Sequence, residues 1–320
     1  MAKRKKTQYV SELSKSDAVD DIFVVKEKLD VTKYKKGHRF TLIIGDRTGE
    51  IEYKFWGGKD KDSVEAVYNK FSKDDVIYVT GKVTEWRNSL EISANSDDII
   101  TIVPREEYFL KYFIETSKTD LDEIFKEIES YFENIENKKL RELLENIFGD
   151  NVISSEFMKS PLTVYNHYNW VGGLMEHTLN VTKICDLLLK IHPSLNSDIL
   201  ITSALLHDIG KINSYNITTN IKQSKRNRLL GHVIMGIQIV SKRANEIELP
   251  ESLTDNLIHI ISTHHGKLEK NYLYKPSTPE AVALKYANDL DSKTTMISKK
   301  REELSGDRVD FEDLGSFVLG

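Results

Sequence analysis

The sequence predicts a multidomain chain of mixed class, a small β-barrel at the N-terminus followed by an all-α helical bundle. Three observations carry this. Residues 8–104 break into short segments of alternating apolar and polar residues with turn residues between them. Residues 105–148 contain no glycine, and their apolar residues recur at helical spacing. From about 150 to 296 the period stays helical and is punctuated by capping residues. A chain of 320 residues is also too long for one small core, so more than one domain is expected.

Composition narrows the class. Hydrophobic residues at 39% and charged residues at 30% describe a globular chain. No apolar run approaches the roughly 18–20 residues of a membrane span. The basic stretch Met1-Ala2-Lys3-Arg4-Lys5-Lys6 lacks a following apolar region, so a secretory signal is not expected. The single cysteine, Cys185, sits among Ile184, Leu187 and Leu188 and reads as a core residue; one cysteine excludes an internal disulfide and fits a cytoplasmic location. A net charge of −5 is no footprint for nucleic acid, so any polyanion must be met by a local patch or through metal ions. A glycine-rich phosphate loop of the Walker type is absent, which excludes nucleotide-driven motor work.

In the first part, strands are predicted at 21–28, 39–44, 50–56, 76–85 and 89–94. One hairpin turns around Gly45-Asp46-Arg47-Thr48-Gly49 and another has its tip at Trp86-Arg87-Asn88. On the strand after Gly49, Ile51, Tyr53 and Phe55 share one face, and Glu52, Lys54 and Trp56 share the other. The run Leu42-Ile43-Ile44-Gly45-Asp46-Arg47-Thr48-Gly49-Glu50-Ile51 leading to Trp56, with Val79-Thr80-Gly81-Lys82-Val83, resembles an OB-fold of the nucleic-acid-binding kind over most of residues 1–104. That resemblance implies a shallow groove for single strands, with Lys54 and Trp56 on its side and Trp86 and Arg87 on a rim loop. Residues 105–149 read as a connector of two or three helices, with Tyr108, Tyr112, Phe113, Leu121, Ile124, Phe125, Ile128 and Phe132 turned inward.

In the bundle, spacing predicts helices over 174–190, carrying His177, and over 198–209, opened by Ser197 as N-cap. The second ends in Leu205-Leu206-His207-Asp208-Ile209-Gly210-Lys211. Gly231-His232 opens a helix to residue 247, and another over 253–263 is ended by His264-His265-Gly266. Pro279 suits the first position of the last helix, which carries Asp289 and Asp291. An imidazole and a carboxylate at the end of an apolar helix are costly to bury unless something pairs with them, and a divalent metal would. His177, His207, Asp208, His232, His264, His265 and Asp289 are all of metal-ligand type. Mixed imidazole and carboxylate ligation suits Mn, Fe, Co, Ni or Zn better than Ca or Mg, and bundles build such sites from facing helices.

The motifs Gly172-Gly173-Leu174-Met175-Glu176-His177-Thr178-Leu179, Ala204-Leu205-Leu206-His207-Asp208-Ile209-Gly210-Lys211, Gly231-His232, His264-His265-Gly266 and Ala287-Asn288-Asp289-Leu290-Asp291 resemble the HD phosphohydrolase superfamily. With the barrel in front, residues up to about 296 resemble the YhaM-type 3′–5′ exoribonucleases. The resemblance implies domains at 1–104 (OB-fold), 105–149 (connector) and 150–296 (HD domain), with 297–320 left as a tail. It implies two divalent cations, manganese first. His177, His207, Asp208 and Asp289 would hold one, and Asp208 would bridge to a second held by His232, His264 and His265. His207, Asp208 and Lys211 would be catalytic, with Lys211 on a phosphate oxygen, and Asn166 and His167 would line the pocket. Arg226 and Arg228, in the basic stretch that also holds Lys222 and Lys225, form a candidate phosphate-binding lid. The chain departs from the family after Gly266, where the 267–276 loop replaces a Trp-Gly-Ser-Pro-like stretch.

The expected activity is hydrolysis of single-stranded RNA from its 3′ end to 5′-mononucleotides, with single-stranded DNA as a second substrate. Two alternatives stand beside it. A hydrolase for a small nucleotide or cyclic dinucleotide would need no fused strand-binding barrel, and the GYP-type signature of such enzymes is absent. A non-catalytic strand binder would usually have lost ligands. No membrane partner is expected, and the sequence leaves the oligomeric state open, a homo-oligomer included.

Overall fold

The computed structural model describes residues 3–165, 167–265, 275–303, 308–311 and 315–318. Asn166, Gly266 and residues 267–274 of the divergent loop lie outside the described residues, as do 304–307, 312–314 and 319–320 of the tail. The chain divides into two compact units, Met1–Glu115 with Ile217–Asn220, and Thr116–Asn216 with Ile221–Gly320.

The first unit is a closed barrel. Strands β1 (Ala18–Tyr34), β2 (Gly37–Asp46), β3 (Gly49–Trp56), β5 (Ser89–Asn95) and β4 (Val76–Trp86) are neighbours in that order, and β1 also pairs with β4, so the sheet returns on itself. β6 (Ile100–Ile102) adds to β4. β1 serves two neighbours because register shifts between Val25 and Glu27 and between Leu29 and Thr32 bend it. The alternation predicted on β3 is realised: Ile51, Tyr53 and Phe55 are buried, while Glu52 is exposed and Lys54 and Trp56 are half-buried. Phe23, Phe40, Leu42, Ile44, Tyr53 and Ile92 fill the interior. A helix the sequence reading missed, α1 (Lys61–Tyr68), follows β3; the Asp60 carboxylate caps it and Val64 packs into the barrel core.

Two turns fix the hairpins. Asp46 Oδ1 accepts from Thr48 N at 2.8 Å and from its hydroxyl at 2.6 Å, the self-bonding that makes aspartate a turn residue. Between β4 and β5, Trp86 pairs with Ser89, and the two residues between them, Arg87 and Asn88, have φ of 49° and 66°. Two left-handed residues in a two-residue loop match the twist of the flanking strands.

The predicted connector is shared between the units. Val103, Tyr108, Tyr112 and Phe113 form an apolar cluster with Ile22, Val24 and Val76 of the barrel strands. Helices α2 (Leu121–Glu133) and α3 (Lys138–Phe148) belong to the core of the second unit, together with α4 (Asn151–Lys159).

The rest of the second unit is α5 (Gly173–Ile191), α6 (Ser197–Leu206), α7 (Lys225–Glu246), α8 (Glu251–Thr263) and α9 (Pro279–Glu303). α6 is buried from Ile199 to Leu206 and packs against α5, α8 and α9. A helix apolar all round belongs at the centre. Its N-cap is Asn196, whose side chain accepts from Ile199 N, and not Ser197; Asn196 N is itself tied to Glu280. α6 also stops earlier than predicted, at Leu206, and a tighter 3-10 turn runs from Ile209 to Asn213. A hairpin of β7 (Tyr215–Ile217) and β8 (Ile221–Gln223) follows where helix was expected. Its β-branched Ile217, Thr218, Thr219 and Ile221 favour extended backbone. In the tail, β9 (Arg308–Phe311) pairs with β10 (Gly315–Val318). Among the described residues no helix is long and apolar enough to cross a membrane.

α7 is two helical segments hinged at Gly231, whose φ of 73° and ψ of 155° no helix contains. Twelve residues of straight helix would separate Arg226 from Gln238 by about 18 Å. The Arg226 guanidinium instead donates to Gln238 Oε1 at 3.0 Å, so the chain bends sharply at Gly231. The 3-10 turn packs on the second segment backbone to backbone. A Cβ on Gly210 would stand 2.0 Å from the His232 carbonyl oxygen and 2.4 Å from Gly236 N. Gly210→Ala is therefore expected to lower stability by about 1–3 kcal/mol, seen as a reduced urea midpoint; an unchanged midpoint would mean that this contact is not closed in solution.

Candidate metal centre

Histidines 207 and 264 arrive by the same device. Each stands just past the end of a helix, α6 and α8, whose last carbonyls lack intrahelical partners. His207 Nδ1 is 2.7 Å from Ala204 O, and His264 Nδ1 is 2.6 Å from Ile261 O, three residues back in each case. A carbonyl can only accept, so each Nδ1 carries the proton and each Nε2 is left as a bare lone pair facing outward. His177, within α5, is set by a carboxylate from α9: its Nδ1 is 2.7 Å from Asp291 Oδ2, while Tyr168 donates to Asp291 Oδ1 at 3.0 Å. This too leaves Nε2 bare.

These lone pairs converge on Asp208, which has φ of −111° and ψ of 11°, between helix and strand values. One donor set is His177, His207 and Asp208; the other is Asp208, His232, His264 and His265. His177 Nε2 and His207 Nε2 are 3.3 Å apart. Asp208 Oδ2 lies 3.7 and 3.5 Å from them. On the other side, Asp208 Oδ1 is 3.3 Å from His232 Nε2 and 3.5 Å from His264 Nε2. His232 Nε2 and His265 Nε2 are 2.8 Å apart. Asp208 Oδ1 and His264 Nε2 are buried with no hydrogen-bond partner among the described residues. Acceptors packed this closely, with orphaned atoms among them, are what a bound cation would satisfy. The mixed nitrogen and oxygen donors suit a first-row transition ion.

The electrostatics agree. Burial opposes the charge on Asp208, yet the Lys211 ammonium, 3.4 Å from Oδ2, and the His207 ring hold its carboxyl well below the usual range. Burial pushes the rings of His177, His264 and His265 down, and takes His232 to about 3. Neutral imidazoles around an ionised carboxylate form a donor set ready for a cation.

Asp289 does not join the others. It is turned from His177 and pairs with Lys285 at 3.0 Å and Lys293 at 3.6 Å, one helical turn away on either side. The α9 residues that face His177 are Asn288 and Asp291, one helical turn apart, with Asn288 Oδ1 3.0 Å from His177 Nε2. Sequence reasoning passed over both as ligands or props; their i, i+3 spacing puts them on one face of α9 but does not say which face meets α5. Lys211 is buried and also donates to Leu162 O at 3.3 Å. His167 lies near the cluster: burial first, then the charges of His177 and Lys211, takes its pKa to about 4. Arg226 and Arg228 are exposed on the segment of α7 before Gly231.

On the barrel, a groove of about 560 Å³ is lined by Trp86, Arg87, Leu90, Lys54, Glu52 and Glu91, among others. Trp86 is 62% exposed, with the Arg87 guanidinium 5.8 Å from its ring. Lys54 is less available than the sequence suggested, because Glu91 and Glu52 both hold its ammonium. Trp56 is covered edge-on by Tyr34 at 4.9 Å and by Arg39 at 4.7 Å. The groove thus offers an exposed ring and one outward guanidinium beside several carboxylates.

A cluster of metal-ligand side chains built on a His-Asp pair within helices, together with an OB-type barrel, defines a metal-dependent phosphohydrolase joined to a nucleic-acid-binding module. The chain matches the HD domain family over residues 174–293 and the OB-fold nucleic acid binding domain family over residues 24–101. It is homologous over most of its length to proteins named 3′–5′ exoribonuclease YhaM. That of Bacillus subtilis (strain 168) is 25% identical over 288 residues, which is 90% of this chain and 89% of that protein. That of Oceanobacillus iheyensis is 26% identical over 285 residues, 89% of this chain and 87% of that protein.

Two outcomes are expected. Asp208→Asn weakens the one charged donor common to both sets, so the purified variant is expected to lose cations from both, read as metal content by mass spectrometry. For the metal-free protein the sign of the pH dependence is fixed by the buried rings. His232 at about 3 and His167 at about 4 lie below the ordinary 6.5, so the unfolded chain takes up these protons first. Stability is expected to be full above about pH 6.5 and to fall below it, seen as a urea midpoint that drops between neutral pH and about pH 5. A flat profile would contradict burial of neutral rings.

Proposed function

We propose that this chain is a metal-dependent 3′–5′ exoribonuclease that hydrolyses single-stranded RNA to 5′-mononucleotides, with single-stranded DNA as a second substrate. The observation that carries the reading is the pair of donor sets sharing Asp208. His177, His207 and Asp208 would hold one divalent ion, and Asp208, His232, His264 and His265 a second, with manganese the first candidate among Mn, Fe, Co, Ni and Zn. Bound there, such ions would polarise a phosphodiester and make an attacking water more acidic.

The chain's own residues have assignable parts. Lys211, whose ammonium stands beside Asp208, would meet a phosphate oxygen. His167 stays neutral at working pH and would offer a ring nitrogen to the substrate without adding charge. Arg226 and Arg228 would meet the approaching strand. In the barrel, Trp86 would stack on a base and Arg87 would track the backbone. With Lys54 held by glutamates, stacking and not phosphate contact would give the groove most of its hold. The division of labour follows: the barrel unit binds the strand and the helical unit hydrolyses it. The names and coverage of the relatives support this reading.

The test uses the full chain with 5′-labelled single-stranded RNA and Mn²⁺. A ladder shortening from the 3′ end is expected, lowered more than about a hundredfold by Asp208→Asn, since even outer partners of metal ligands cost that much. Cleavage confined to small nucleotides, or binding without cleavage, would overturn it. Trp86→Ala is expected to raise KM for RNA by about 5- to 150-fold with kcat little changed, because stacking contributes about 1–3 kcal/mol per base.

A further inference from the structure

We infer that Asn288 supplies the fourth donor to the inner cation site, through its carboxamide oxygen. The inference rests on the metal-centre reading above and goes beyond it, because it completes the inner donor set with a neutral oxygen from α9. On the inner side His177 Nε2 has three acceptors around it, Asn288 Oδ1 at 3.0 Å, His207 Nε2 at 3.3 Å and Asp208 Oδ2 at 3.7 Å, and Asp208 Oδ2 is 3.5 Å from His207 Nε2. Neither ring can place a proton between them, since Asp291 and the Ala204 carbonyl hold the Nδ1 protons. With the Asn288 carboxamide oriented as it is, Oδ1 at 3.0 Å from His177 Nε2 sets lone pair against lone pair, as does His207 Nε2 at 3.3 Å. Asn288 is 4% exposed, so water cannot relieve the contact. A cation between them does.

The position is specific on α9. Asn288 and Asp291 address the two ring nitrogens of His177, one at Nε2 and one at Nδ1. Asp289 lies on another face, in its lysine pairs. Asp291 is then a positioning residue, with no atom on the cation. The inner set carries two neutral rings and one neutral amide, and its only charge is the carboxylate shared with the outer site. A cation held this way is attracted less than one with its own carboxylate.

The experiment loads purified full-length protein with Mn²⁺, dialyses it, measures metal content, and follows release to a chelator. Asn288→Asp is expected to slow release of one of the two ions by about tenfold or more, as an added carboxylate strengthens the inner site. Asn288→Ala is expected to lower the retained metal from two ions to one, and Asp289→Ala to change neither content nor release. If Asn288→Ala does not fold, the near-isosteric Asn288→Asp decides alone. An aspartate variant with unchanged or faster release, or an Asp289→Ala protein that loses metal, overturns the inference. Those results leave the metal centre standing, whereas wild-type protein that retains no cation would remove the centre and this inference together.

Discussion

The site depends on a tautomer. Two helices, α6 and α8, end beside the same carboxylate, and each hands over a histidine whose Nδ1 is taken by its own helix's last free carbonyls. The bond satisfies an acceptor that a helix end leaves open. It also commits the ring, so that Nε2 points at Asp208 as a donor to metal. The negative ends of both helix dipoles fall in the same place and favour positive charge there. Fold and chemistry are thus served by one hydrogen bond, used twice. His177 reaches the same state by another route, through Asp291, because it sits within a helix whose carbonyls are already engaged.

Much of this could be read from the residues. The alternation of Ile51, Tyr53 and Phe55 gave the inward face of β3, because a strand has only two faces and one must be core. The apolar residues Ile199, Leu200, Ile201, Ala204, Leu205 and Leu206 gave α6 a broad buried face, and a His-Asp pair at its end was conspicuous because burying it alone is costly. The histidines at 177, 207, 232, 264 and 265 do come together around Asp208.

What was not legible depended on partners remote in sequence. Asn288 and Asp289 are neighbours, and nothing local says which faces α5; the outcome depends on where α9 lies, with Lys285 and Lys293 waiting for the residue that turns away. Lys54 was placed beside the groove, and nothing near it in sequence showed that the parallel pairing of β3 and β5 brings Glu91 to its ammonium. The cap of α6 is Asn196 and not Ser197, since the Asn196 side chain accepts from Ile199 N while Glu280 holds its backbone, a contact across 84 residues. The β7–β8 hairpin was lost between strong helical signals, since three-residue strands carry too few alternations to register.

The two-residue turn at Arg87 and Asn88 has a consequence for recognition. With both residues held in the left-handed region and Trp86 registered opposite Ser89, the hairpin tip has no slack backbone. A nucleobase settling on the indole would have to freeze only the two side-chain torsions of Trp86. The conformational entropy surrendered on contact is correspondingly small, and more of the stacking energy survives as affinity than on a long mobile loop.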